Sequence, residues 1–95
     1  MITHIVFFKL NDRSPASVAE AREVLLGLAG RVPQLRHLDV GANVVPSPRA
    51  YDLALVAHFD SLADLEAYQV HPAHVEVADY MASVREAIAS VDYES

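Results

Sequence analysis

Alternation organises the first ten residues. Ile2, His4, Val6, Phe8 and Leu10 fall on one side of an extended chain, and Thr3, Ile5, Phe7 and Lys9 on the other. Both sides carry large apolar groups. The spacing predicts a strand over Ile2 to Leu10 in a sheet with no plainly wet face. Asn11-Asp12-Arg13 reads as a turn. Ser14-Pro15 reads as a helix start, a hydroxyl cap followed by proline at the first helical position. Val18, Leu25, Leu28 and Ala29 keep helical spacing, so the helix is expected over Pro15 to Ala29. Gly30 is its left-handed cap, and Pro33 stops continuation.

A second strand is predicted over Leu35 to Val45, with Gly41 as a bulge candidate. Pro46-Ser47-Pro48-Arg49 forms a loop. A third strand follows over Tyr51 to Phe59. Tyr51, Leu53, Leu55, Ala57 and Phe59 share one face; Asp52, Ala54, Val56 and His58 share the other. Ser61 with Asp64 three residues on approximates a capping box and opens another helix. Pro72 interrupts it, because the residue before a proline is driven away from helical geometry. Pro72 then opens a further helical segment, expected to run to about Ala89 on the spacing of Val77, Met81, Val84 and Ile88. Val91-Asp92-Tyr93 is a short final strand candidate.

The order β-α-β-β-α-β is that of an α+β, ferredoxin-like split βαβ unit. Helices cover one face of such a sheet. The other face here carries Ile5, Phe7, Ala54 and Val56, and no sequence is left to cover it, so a second subunit is expected there. One domain, residues 1–95, accommodates the chain. Association is a common remedy for a core this small.

Composition narrows the chemistry. There is no cysteine, which excludes disulfides, thiolate metal sites and a thiol nucleophile. Net charge is −6, Lys9 is the single lysine and the arginines are scattered, so no nucleic-acid partner is expected. No secretory leader and no membrane span are apparent, and a cytoplasmic location is the expectation. With three glycines and no glycine-rich fingerprint, a nucleotide cradle is not expected, nor any other cofactor.

The titratable groups concentrate in Tyr68-Gln69-Val70-His71-Pro72-Ala73-His74. His71 and His74 as a metal pair lack a third ligand, and no metal is expected. His71 has the position of a cap that ends one helical segment. His74 is open to two readings: a core histidine tied to a backbone group, or an acid–base residue. His4 lies on the helix-covered face of the first strand, and Tyr68 and His74 can face it across the Pro72 break. That convergence would place three proton-exchanging groups in an apolar cleft, where pKa values shift. His58 is expected on the subunit-facing side and His37 at the surface.

The chain resembles the Dabb family, the stress-responsive α/β barrel domain. The resemblance rests on Thr3-His4-Ile5-Val6-Phe7-Phe8-Lys9, Val40-Gly41, Phe59-Asp60-Ser61-Leu62 leading through Tyr68 to His71-Pro72-Ala73-His74, and Val91-Asp92-Tyr93. It implies a ferredoxin-like monomer whose apolar sheet face pairs with a second copy, making a dimeric α/β barrel. It also implies a pocket between sheet and helices for a small hydrophobic ligand. Plant olivetolic acid cyclase, a relative in that family, closes a linear polyketide by aldol condensation, and His4, Tyr68 and His74 fall on its active-site positions. Where it carries a histidine on the third strand, this chain has Leu53. The resemblance thus implies His4, Tyr68 and His74 as catalytic residues; Val6, Phe8, Leu53, Leu55 and His71 are the residues expected to contact the ligand. Two functions stay open at this point: acid–base catalysis on a small apolar carbonyl compound, of polyketide-cyclase or aldol type, and a non-catalytic, stress-responsive ligand-binding or interaction dimer.

Overall fold

A computed structural model describes all residues, 1–95. Four strands, β1 (Ile2–Leu10), β2 (His37–Ala42), β3 (Leu53–Phe59) and β4 (Arg85–Glu94), form one antiparallel sheet in the order β2-β3-β1-β4. Helices α1 (Pro15–Leu26), α2 (Leu62–Val70) and α3 (Pro72–Val84) provide the connections. This is the ferredoxin-like α+β arrangement, with the second helix of the motif broken in two.

The two faces of the sheet separate as the alternation predicts. Val6, Phe8 and Leu10 of β1 and Leu55, Ala57 and Phe59 of β3 are buried with Ala21 and Leu25 of α1 and Val77 and Met81 of α3. The opposite face has no helix. There Phe7 of the interior strand β1 and Val91 and Tyr93 of the edge strand β4 are 41%, 59% and 47% exposed, leaving an apolar surface uncovered.

Local signals set the helix starts. Ser14 accepts from the Ser17 N–H ahead of Pro15, and Ser61 accepts from the Asp64 N–H. At the break between α2 and α3, His71 adopts extended geometry, and its Nδ1 accepts from the Ala73 N–H at 3.1 Å. One residue therefore ends α2 and caps α3.

Four boundaries differ from expectation. Helix α1 stops at Leu26, and residues 27–31 form turns; Gly30 has the left-handed φ of 78°, but within those turns rather than at the helix end. Strand β2 is shorter than Leu35 to Val45, and its pairing with β3 runs in regular register through Gly41, with no bulge there. The register shift lies instead at Lys9/Leu10, against β4. Tyr51 precedes β3 and packs its ring on Phe7, at a centroid distance of 6.1 Å, so it belongs to the open face.

The largest difference is at the C-terminus. Helix α3 ends at Val84 and β4 begins at Arg85 without a loop, although helical spacing continues to Ile88. Spacing of i, i+4 serves a helix and a strand face equally. The bare edge of β1 decides the outcome, because pairing with β4 along nearly its whole length satisfies backbone groups that would otherwise be orphaned.

Asp52 anchors the start of β3. It is buried, its Oδ2 accepts from the Leu10 N–H at 2.8 Å, and its Oδ1 accepts from Arg13 Nε at 2.9 Å. Its own N–H donates to the Phe8 carbonyl. A buried carboxylate with these partners ties the end of β1 to the entry of β3.

Candidate functional site

A cavity of about 260 Å³ lies between the sheet and α3. His4 reaches it from the centre of β1, Tyr68 from the last turn of α2, and His74 from the first turn of α3. The Pro72 break makes this possible: a continuous helix would carry residues six positions apart to different faces. Ring centroids are 4.4 Å apart for Tyr68 and His74 and 6.1 Å apart for His4 and Tyr68. Phe59 backs the Tyr68 ring at 4.8 Å.

Tyr68 is 1% exposed. Desolvation alone pushes its hydroxyl up to about 12, so the phenol is neutral and able to donate at physiological pH. His74 titrates below its ordinary value. Desolvation is the main cause, opposed by the hydrogen bond to the Gln69 carbonyl and reinforced by His4. That bond is 3.0 Å from Nδ1 to an oxygen that only accepts, so Nδ1 carries the proton and the neutral ring has its lone pair on Nε2.

His4 gains a partner that nothing in the linear pattern singled out. Its Nδ1 is hydrogen-bonded to the Asp92 carboxylate of β4. The carboxylate accepts from Nδ1–H and leaves Nε2 as the ring nitrogen that Asp92 does not engage. Asp92 was legible only as part of a short strand. Its face and its partner depend on the pairing of the two chain ends. For the same reason a helix expected to about Ala89 does not predict that Ile88 and Ser90 also line the cavity.

Val6, Phe8 and Leu55 line the cavity. Leu53 and His71, expected beside them, do not. Leu53 sits at the end of β3 opposite Phe8 and is 2% exposed, packed into the core. The His71 ring is held at the helix junction by its capping bond. His71 and His74 are therefore engaged with separate backbone groups, and no three His, Asp or Glu side chains converge in a metal-binding arrangement. His58 lies on the open sheet face, stacked against His37 from β2 at 4.9 Å, away from the cavity. A wider depression of about 830 Å³ lies over α1 and the β2–β3 connection. Arg13 and Arg22 line it, but their guanidinium groups are already bonded to Asp52 and to the Val40 carbonyl, and it holds no histidine or tyrosine.

Residues 2–95 match the model of the stress-responsive A/B barrel domain, Dabb, and the chain belongs to that family. It is 38% identical to an uncharacterised protein of Streptomyces coelicolor, over 78% of this chain and 79% of that one. It is 35% identical to the stress-response A/B barrel domain-containing protein DABB1 of Arabidopsis thaliana, over 98% of this chain but only 46% of that relative. Among solved structures, a dimeric ferredoxin-like protein of unknown function from Bacteroides fragilis superposes with a TM-score of 0.84 at 33% identity, covering 99% of this chain and 95% of that one. A second dimeric ferredoxin-like protein, from Thermobifida fusca, gives 0.86 at 29% identity, over 99% and 90%. The hydroxynitrile lyase of Passiflora edulis shares the fold, with a TM-score of 0.84 at 21% identity, over 97% and 90%. No helix of this chain is long and apolar enough to cross a membrane.

Proposed function

We propose that the protein is a homodimer whose sheet–helix cavity binds a small, largely apolar carbonyl compound and catalyses proton transfer next to the carbonyl. The observation that carries this reading is the convergence of Tyr68, His74 and the Asp92-bound His4 on one mostly apolar cavity. In this reading His74 Nε2 removes a proton alpha to the carbonyl. The neutral Tyr68 hydroxyl donates a hydrogen bond to the oxygen as it gains charge. His4, oriented by Asp92, positions the substrate through Nε2. Where the substrate holds a second carbonyl in reach, the enolate carbon attacks it. A carbon–carbon bond forms, and the new alkoxide takes the proton back from the His74 imidazolium, completing an aldol-type closure.

The dimer is proposed to form through the open sheet face. Ile5, Phe7, Val56, Val91 and Tyr93 make an apolar surface there that a lone subunit leaves in water. Solved structures of similar fold are dimeric, which supports the reading.

Hydrogen–deuterium exchange alpha to the carbonyl, followed by NMR across a panel of alkyl and aryl ketones, tests the activity. The expected result is catalysed exchange that falls roughly 10²–10⁴-fold in His74→Ala. Ketones that bind in the cavity without exchange in the wild-type protein would overturn catalysis and leave a ligand-binding dimer.

A further inference from the structure

The cavity is closed on one side by the helices and open on another. Its uncovered wall is β4, whose cavity-lining Ile88 is 46% exposed. Strand β4 is also one of the two sheet edges, and β2 is the other. Beyond β2, Val44 and Val45 are 87% and 69% exposed, an apolar pair on an irregular segment. Unpaired edges and isolated apolar pairs are both costly to leave in water.

Symmetry links the two edges. If two copies pack open face to open face about a twofold axis along the strands, the β2 edge of each lies against the β4 edge of the other. Strand β2 runs parallel to β1 and β4 antiparallel to it, so the meeting edges are antiparallel and able to share hydrogen bonds. An axis along the strands also preserves height. Ala42 is level with Leu53, Leu53 with Phe8, and Phe8 with Ile88. The residues after Ala42 therefore reach the partner's β4 between Ile88 and Arg85, the stretch that borders the opening. Leu38 and Val40 mark the helix-side parity of β2, and Val44 shares it when the strand continues.

On this basis, which rests on the proposed face-to-face dimer, we infer that Val44 of each subunit forms the missing wall of the other subunit's cavity. Each site is then composite, and β2 lengthens on assembly by pairing with the neighbouring β4.

The chain has no cysteine, so engineered thiols report proximity cleanly. Val44→Cys is combined with Ile88→Cys, and separately with Glu86→Cys. Each variant is oxidised, run on a non-reducing gel and sedimented. The expected result is a reducible covalent dimer from at least one double variant and none from any single variant. A protein that sediments as a dimer without linking in either double variant overturns the composite wall. So does linkage of Val44→Cys alone, which would put the two β2 edges together. A wild-type protein that sediments as a monomer overturns the dimer itself, a different outcome of the same experiment.

Discussion

The imidazole of His4 is bound to the carboxylate of Asp92, 88 positions away in the chain. One is on the central strand and the other on the edge strand that follows the last helix, and their strands pair with His4 directly opposite Asp92. The carboxylate holds Nδ1 and leaves Nε2 as the nitrogen proposed to face substrate. Asp92→Asn keeps the shape but offers a choice of amide oxygen or nitrogen to the ring. It is expected to lower ketone exchange by about the same factor as His4→Phe, with the double variant no worse than either, because the two act as a unit. Nitrogen-15 shifts of the His4 ring should report a changed tautomer balance. An unchanged tautomer would remove Asp92 from its positioning role.

Tyr68 separates packing from chemistry. Its ring is packed between Phe59 and His74, whereas its hydroxyl is the group proposed to meet the substrate. Tyr68→Phe preserves the ring. Thermal stability is expected to change by no more than about 1 kcal/mol, while the exchange rate falls by at least tenfold. Unfolding curves and single-turnover rates on the same variant make the comparison.

His74 contributes a pH dependence with a definite sign. Its folded-state value lies below the ordinary 6.5, chiefly through desolvation. Between the lowered value and 6.5 the unfolded chain binds more protons than the folded one, so stability rises with pH across that interval. The contribution is intact above 6.5 and is lost as pH falls through the interval. Urea midpoints measured from pH 7.5 downward should decline less steeply for His74→Gln than for the wild type. An NMR titration of the His74 ring should place its midpoint below that of a free imidazole.

His71 offers the contrasting case, a histidine held by the fold. Its ring caps α3 through the Ala73 N–H and does not line the cavity. His71→Ala should cost about 1 kcal/mol of stability, the usual effect of losing a cap, with ketone exchange per folded molecule unaltered. His71→Asn, which restores a capping acceptor, should recover most of the loss. A selective loss of exchange at unchanged stability would return His71 to the site.

Phe7 tests the open face. It is 41% exposed in the single subunit and packs only against Tyr51 among the aromatic side chains. Phe7→Glu places a charge where the second subunit is proposed to sit, and desolvating it there is costly. Sedimentation should show the variant shifted to monomer at micromolar concentration, with the far-ultraviolet spectrum of the fold retained.

Much of this molecule follows from short-range pattern. Alternation along Ile2 to Leu10 and Leu53 to Phe59 determined which strand residues face the helices, because side chains on a strand change sides at every residue. Ser14-Pro15, Ser61 and His71-Pro72 determined where helices begin, because caps and proline act within one turn. The two separate helical segments around Pro72 also made the meeting of Tyr68 and His74 readable in advance. Long-range pairing decided the rest. Residues 85–90 are compatible with a helix by spacing, and only the bare edge of β1 made them a strand. That pairing brought Asp92 to His4 and Ile88 to the cavity rim. It also left β2 and β4 as the unpaired edges. Local sequence encodes conformations worth a few tenths of a kcal/mol per residue. Satisfying the backbone of a whole strand outweighs such preferences, and its effect is visible only when the two ends of the chain are together.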